Sequence, residues 1–247
     1  MLLLLPPSET KRDGGDGAPL DVAGLAHPRL ASRRRAVVSA VKKLARTPDE
    51  MAAALKLGPT QRAEIARNAA VASSPTMPAI DRYTGVLYDG LDSLTLSHAA
   101  RMRAADVVRI QSALLGPVGG LDPIPAYRLS HDSRLPGLPL KAHWATAVGA
   151  ELAKQPGLIL DLRSEGYAVL GPAPRREGSY YLRVLTRGDD GETRALNHFN
   201  KKAKGQFTRA LLTAPEVPVD AESLIEIARA AGFELRHGAP GELALIV

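Results

Sequence analysis

The segment Asn200-Lys201-Lys202-Ala203-Lys204-Gly205-Gln206-Phe207-Thr208-Arg209 carries four cations and no acid. Wound as a helix at about 100° per residue, it separates into two faces. Lys201, Lys202, Lys204 and Arg209 fall within one arc, and Phe199, Ala203, Phe207, Ala210 and Leu211 fall opposite. The apolar side can anchor a helix to a core while the cations point away, which is chemistry suited to a polyanion such as nucleic-acid phosphate. Asn200 is placed to cap this helix, so that its first N–H groups face the same region as Lys201. Taken alone, one basic helix is more simply a solvated lysine face.

Two polar clusters follow apolar runs. Ser8-Glu9-Thr10-Lys11 comes after Met1–Leu5, and Arg163-Ser164-Glu165-Gly166-Tyr167 comes after Leu158–Leu162. Sheets place functional groups at the ends of core strands. Ser8 with Lys11, or Glu165 with a lysine, has the residue types of a nucleophile or acid–base pair, which makes Ser8, Lys11, Glu165 and Tyr167 catalytic candidates. Serine, glutamate and glycine also suit ordinary turns, so both readings stand. The stretch Leu114–Asp122 resembles the turn of a helix-hairpin-helix, where glycine N–H groups such as that of Gly116 bind a backbone phosphate without reading bases. Tyr127-Arg128 follows with a stacking surface and a cation. Aromatic residues make up only 4% of the chain, which favours contact with a duplex backbone over a base-stacking platform.

Composition narrows the classes. A net charge of +6 favours anionic partners, and the charge is clustered. Between Asp21 and Asp49 there is no acid, while Arg29, Arg33, Arg34, Arg35, Lys42, Lys43 and Arg46 accumulate. The absence of cysteine removes disulfides, thiolate catalysis and cysteine metal sites. His27, His98, His131, His143, His198 and His237 show no metal-ligand spacing, so no metal or other cofactor is expected. Gly15-x-Gly17 lacks the third glycine and the helix of a dinucleotide fingerprint, and a Walker loop is absent. Met1–Leu5 is too short for a signal peptide, and no run approaches the roughly 20 apolar residues of a membrane helix. A cytoplasmic protein is expected.

These groups must be held by a core, and 247 residues with 45% apolar content suffice for one. Met1–Leu5 reads as a buried strand. Helical patterns cover Ser32–Arg46, a segment opened by Thr47-Pro48 and stopped at Gly58, and a short segment reaching Val71. Helix is also expected over Ser97–Leu115, Trp144–Lys154, the basic segment and Asp220–Ala231, with a Gly/Pro-rich turn over Gly116–Pro125. Strands are expected at Leu158–Leu162, Tyr167–Leu170, Phe233–Arg236 and Leu243–Val247. Tyr180–Arg187 and Thr193–His198 flank Gly188-Asp189-Asp190-Gly191, a hairpin signal. Helices cluster early and strands late, which points to a single α+β domain over residues 1–247.

In order and spacing, PPSETK (6–11), YTGVLYDGL (83–91), LLGPVGGLDPIPAYRL (114–129), His143-Trp144, LDLRSEGY (160–167) and FNKKAKGQFTRAL (199–211) together resemble the YaaA peroxide-stress family over nearly the whole chain. Gly119-Gly120 departs from it, standing where the family commonly has Arg-Pro. The resemblance implies a cytoplasmic protein of the hydrogen peroxide response that limits iron-dependent oxidative damage. It also implies a compact, cantaloupe-like α+β fold with a helix-hairpin-helix element and a positively charged cleft that binds DNA; with the low aromatic content, the expected partner is double-stranded DNA bound without sequence specificity. Carried over residue by residue, that cleft would hold Lys11, Arg128, Ser164, Glu165, Tyr167, Lys201, Lys202 and Lys204, with Gly116 and Arg209 as further DNA contacts. An enzyme acting on a nucleotide or nucleic acid through Ser8, Lys11, Glu165 and Tyr167 is the alternative.

Overall fold

A computed structural model of the chain describes residues 1–187, 193–195 and 199–247. The centre is β1 (Leu2–Leu5), whose four leucines are all buried because β3 (Val108–Ser112) and β6 (Ile159–Asp161) pair with it on either side, both parallel. An apolar run without alternation is what a parallel strand covered on both faces requires. Burying each leucine contributes about 2 kcal/mol. β7 (Ser179–Arg187) and β10 (Glu242–Ile246) extend the parallel block, giving the sheet order β4-β3-β1-β6-β7-β10-β9. The antiparallel edges are β4 (Gly116–Gly119) and β9 (Glu234–His237). β8 (Thr193–Ala195) pairs antiparallel with the far end of β7. A separate small ladder joins β2 (Met77–Pro78) to β5 (Pro123–Ile124).

Two features of this sheet position the site. The chain leaves β1 toward β3 on one flank and leaves β6 toward β7 on the other, so these neighbours form a topological switch point, where open sheets hold ligands beyond the strands' carboxyl ends. β6 also stops opposite Tyr181, and β8 runs from Thr193 opposite Arg187 to Ala195 opposite Leu185. Among the described residues, no strand pairs with Leu182–Val184 on that edge.

Helices α1 (Ala31–Leu44), α2 (Pro48–Leu55) and α3 (Ala63–Ala69) pack on one another early in the chain. Thr47 Oγ1 donates to Glu50 Oε2 at 3.1 Å where α2 starts. Then come α4 (Ala79–Arg82), α5 (Val86–Leu91), α6 (His98–Val107), α7 (Leu140–Ala153), α8 (Glu165–Ala168), α9 (Phe199–Thr213) and α10 (Ala221–Ala230), the last opened by an Asp220–Ser223 capping box. The molecule is a mixed α/β domain with a mostly parallel sheet, compatible with the α+β class. No helix among the described residues is long and apolar enough to cross a membrane.

Several expectations are corrected. The helix over Ser97–Leu115 ends at Val107, and Val108-Arg109-Ile110, with β-branched residues at 108 and 110, continues as β3. Tyr167–Leu170 is not a strand, since Tyr167 lies within α8. Lys56, at φ 55°, ends α2 before Gly58 is reached. Leu114–Asp122 is the turn and second arm of a β-hairpin rather than a helix-hairpin-helix turn. Gly188-Asp189-Asp190-Gly191 lies outside the described residues, and the strands flanking it do pair.

Buried arginine absorbs part of the positive composition. Arg34, from the cluster in α1, is fully buried and donates to the carbonyls of Leu115 at 2.8 Å, Pro117 at 2.9 Å, Val22 and Ala26. Arg82 does the same for Ile124, Arg12, Gly14 and Pro75. Five fixed donors on one planar group let carbonyl dipoles replace water without a carboxylate.

Candidate functional site

Pro6-Pro7 ends β1, and the chain turns so that Lys11 bridges to Tyr83 and its side chain folds back beneath its own loop. Lys11 Nζ donates to the carbonyls of Ser8 at 3.0 Å and Glu9 at 3.2 Å. The same amine lies 4.1 Å from the Tyr127 ring centroid and 5.2 Å from that of Tyr83, both cation–π distances. The Tyr83 and Tyr127 hydroxyls share a 2.7 Å hydrogen bond, and Tyr127 shares another of 2.6 Å with Ser112 at the end of β3. Burial, helped by the Arg128 guanidinium, lowers the Lys11 amine to about 7. Burial raises the phenols of Tyr83, Tyr88, Tyr127 and Tyr167, which stay protonated. The cluster thus holds a dry amine that loses its proton near neutrality among neutral hydroxyls. The Ser8 hydroxyl pairs with Thr10 rather than with this amine.

Arg128 reaches the same loop, where its guanidinium binds Glu9 at 2.6 Å. Asn68 holds its backbone on both sides, accepting from the Arg128 N–H at 2.8 Å and donating to its carbonyl at 2.7 Å.

After β6, Asp161 and Arg163 form a buried bidentate pair at 2.8 and 2.7 Å. Ser164 is exposed and precedes α8, whose four residues look two ways. Tyr167 points inward, edge-on to His131 at 4.9 Å between centroids. Glu165 points outward and binds Arg183 at 3.0 Å, so its ionic partner is an arginine rather than a lysine.

Helix α9 corrects the two-faced reading in three places. Ala203, Phe207 and Leu211 are buried and Lys201 and Lys202 exposed, as the pattern requires. Lys204 is buried, however. Its amine donates to the Leu162 carbonyl just past β6 at 2.9 Å, 5.7 Å from the Tyr181 ring, and burial lowers it to about 8. Arg209 is engaged with the carbonyls of Leu91 and Asp92 at the end of α5. Asn200 is the second residue of the helix rather than its cap, and its Oδ1 is buried without a hydrogen-bond partner among the described residues.

Gly116 is interior as well. At φ 67°, a Cβ there would sit 3.1 Å from Trp144, whose indole donates to Ala113. The Gly119 N–H donates to Asp122 and that of Gly120 to Val108, so these glycine donors are taken.

Sequence reasoning missed Arg183 and Tyr181. Asp161, Tyr181 and Glu242 are in register across β6, β7 and β10, on the face that β7 also gives to Ser179 and Arg183. Leu182 and Val184 point to the buried side. The clue was the polar alternation of Ser179, Tyr181 and Arg183. This face floors an open cleft of about 950 Å³, walled by α8 and the chain between α8 and β7, with Pro240 and Gly241 at its rim. Of the residues expected to share one positive cleft, only Glu165 lines it.

Fold and site together define a mixed α/β protein whose polar groups gather beyond the carboxyl ends of central parallel strands, two of them buried amines flanking the switch point. The chain belongs to the YaaA family: the family model described as peroxide stress protein YaaA matches residues 1–238. It is 42% identical to a UPF0246 protein of Corynebacterium efficiens over the full length of both chains. A UPF0246 protein of Streptomyces coelicolor is 41% identical, covering 98% of this chain and 94% of its own. One from Corynebacterium glutamicum is also 41% identical, over 94% of each.

Proposed function

We propose that this is a cytoplasmic protein of the hydrogen peroxide response that binds duplex DNA through its phosphates, without reading sequence, and so helps limit iron-dependent oxidative damage. Family membership supports the setting. One structural observation carries the DNA contact. Lys201 and Lys202 stand exposed in the first turn of the 15-residue α9, no acid shares that turn, and neither lysine has an ion-pair partner among the described residues. The helix dipole adds to the positive potential there. Ser164 is exposed beside α8, and Arg128 is partly exposed where it pairs with Glu9. Lys11, Lys204 and Gly116 serve the site from inside, by holding the chain ends that present it.

The test is fluorescence anisotropy of a labelled duplex with wild type and Lys201→Glu/Lys202→Glu. Charge reversal at two exposed positions leaves the core intact, which reversal at Lys204 would not. Binding should weaken at least tenfold, by about the same factor on unrelated sequences. Equal affinity of the two proteins would refute the assignment.

A further inference from the structure

The cleft over β6, β7 and β10 differs in chemistry from the lysines of α9. Its floor centres on Arg183, clamped by Glu165 at 3.0 Å and Glu242 at 2.9 Å, with the guanidinium carbon 4.9 Å from the Tyr181 ring centroid. Nearly half of the Arg183 side chain remains exposed, so the clamp fixes a planar surface that is still open. Ala168, Val169, Pro172, Ala173, Pro174 and Pro240 make the walls apolar.

The charges lining the cleft are Asp161, Glu165, Glu177 and Glu242 against Arg175, Arg176 and Arg183. Arg176 is engaged with the carbonyls of Gln155, Gly157 and Glu177, and Arg183 with its two glutamates. Among the described residues, Arg175 is the one of the three without a partner. Such a lining gives a phosphate little net attraction. It suits a flat, uncharged ring with N–H donors for the carboxylates and an acceptor edge for a guanidinium.

We propose that this cleft binds a nucleobase, presented as a nucleoside, with its ring against Tyr181 and Arg183 and its exocyclic amino group donating to Glu165. The volume falls within the range of small-ligand sites and accommodates base and ribose together. Aromatic and guanidinium faces are the surfaces on which bases stack. The site is independent of the phosphate contact on α9, and either can fail without the other.

Calorimetric titration of the full chain with adenosine, guanosine, cytidine and uridine, and with their 5′-monophosphates, tests it. At least one of the three amino-bearing nucleosides should bind with a Kd below about 1 mM and more tightly than uridine, which has no amino group. Adding the phosphate should change that affinity by less than about tenfold. Tyr181→Ala and Glu165→Gln should each weaken binding about tenfold. Glu165 is largely exposed, so its variant reads the contact without disturbing the fold. Lys201→Glu/Lys202→Glu should bind nucleoside as wild type does. The proposal is overturned if no nucleoside binds, if uridine binds as well as the amino-bearing nucleosides, if a monophosphate binds tenfold tighter or more, or if Glu165→Gln binds like wild type.

Discussion

Lys11 and Lys204 are buried amines that end on main-chain carbonyls, each past the carboxyl end of a central strand. Desolvation penalises the ammonium more than the neutral amine, which brings Lys11 down to about 7 and Lys204 to about 8 from an ordinary 10.5. The folded-state values lie below the unfolded ones. From about pH 7 to 10, the unfolded chain therefore holds protons that the folded chain has released, and stability rises with pH across that window. It is lost again as pH falls through the folded-state values. Carbon-13 spectra of lysine-labelled protein should show midpoints near 7 and 8 that disappear in Lys11→Met and Lys204→Met respectively. Urea denaturation at pH 7 and pH 9.5 should show a smaller alkaline gain for Lys11→Met than for wild type. Identical gains would mean that the Lys11 amine is as well solvated folded as unfolded.

At the scale of elements, α5 and α9 cross where each carries a glycine. A Cβ on Gly205 would lie 1.9 Å from the Leu87 carbonyl oxygen, and one on Gly90 would lie 2.7 Å from that of Lys202. The two backbones touch, and Arg209 then caps the end of α5 across the same junction. Gly205→Ala should lower stability by about 2 kcal/mol or more in chemical denaturation, since neither backbone can yield without separating the helices. A loss within about 0.5 kcal/mol would show that the crossing is looser than these distances. The motifs YTGVLYDGL and FNKKAKGQFTRAL meet at this contact, which neither reveals alone. Burial on both faces leaves an unbroken apolar run, so β1 was readable in sequence. The end of α6 was not, because no glycine or proline separates Val107 from Val108 and only pairing with β1 makes the second a strand residue. For α9, periodicity placed Ala203, Phe207 and Leu211 correctly. It misplaced Lys204 because a helical wheel cannot show that the chain just past β6 offers the Leu162 carbonyl to the amine. The same limit hid the joining of Lys11 to Tyr83 and Tyr127, which depends on three separate chain segments converging beyond β1 and β3.

For the whole molecule, the formal charge of +6 overstates what a polyanion would meet. Arg34, Arg82 and Arg163 are fully buried, and Lys11 and Lys204 nearly so, so these cations act on carbonyls and on Asp161 rather than on solvent. Among the cations that remain exposed, two clusters stand out: Lys201 and Lys202 on α9, and Arg35, Lys42, Lys43 and Arg46 on or beside α1. Counterion release separates their contributions, because each phosphate contact adds about 0.9 to the slope of log affinity against log salt on duplex DNA. Lys201→Glu/Lys202→Glu should lower that slope by about 2, whereas Lys42→Glu/Lys43→Glu should leave it within about 0.5 of wild type. If the α1 pair carries the change instead, the duplex lies across the early helices. The assignment to α9 would then fall, while the Tyr181–Arg183 cleft, which does not depend on it, would still be judged by nucleoside titration alone.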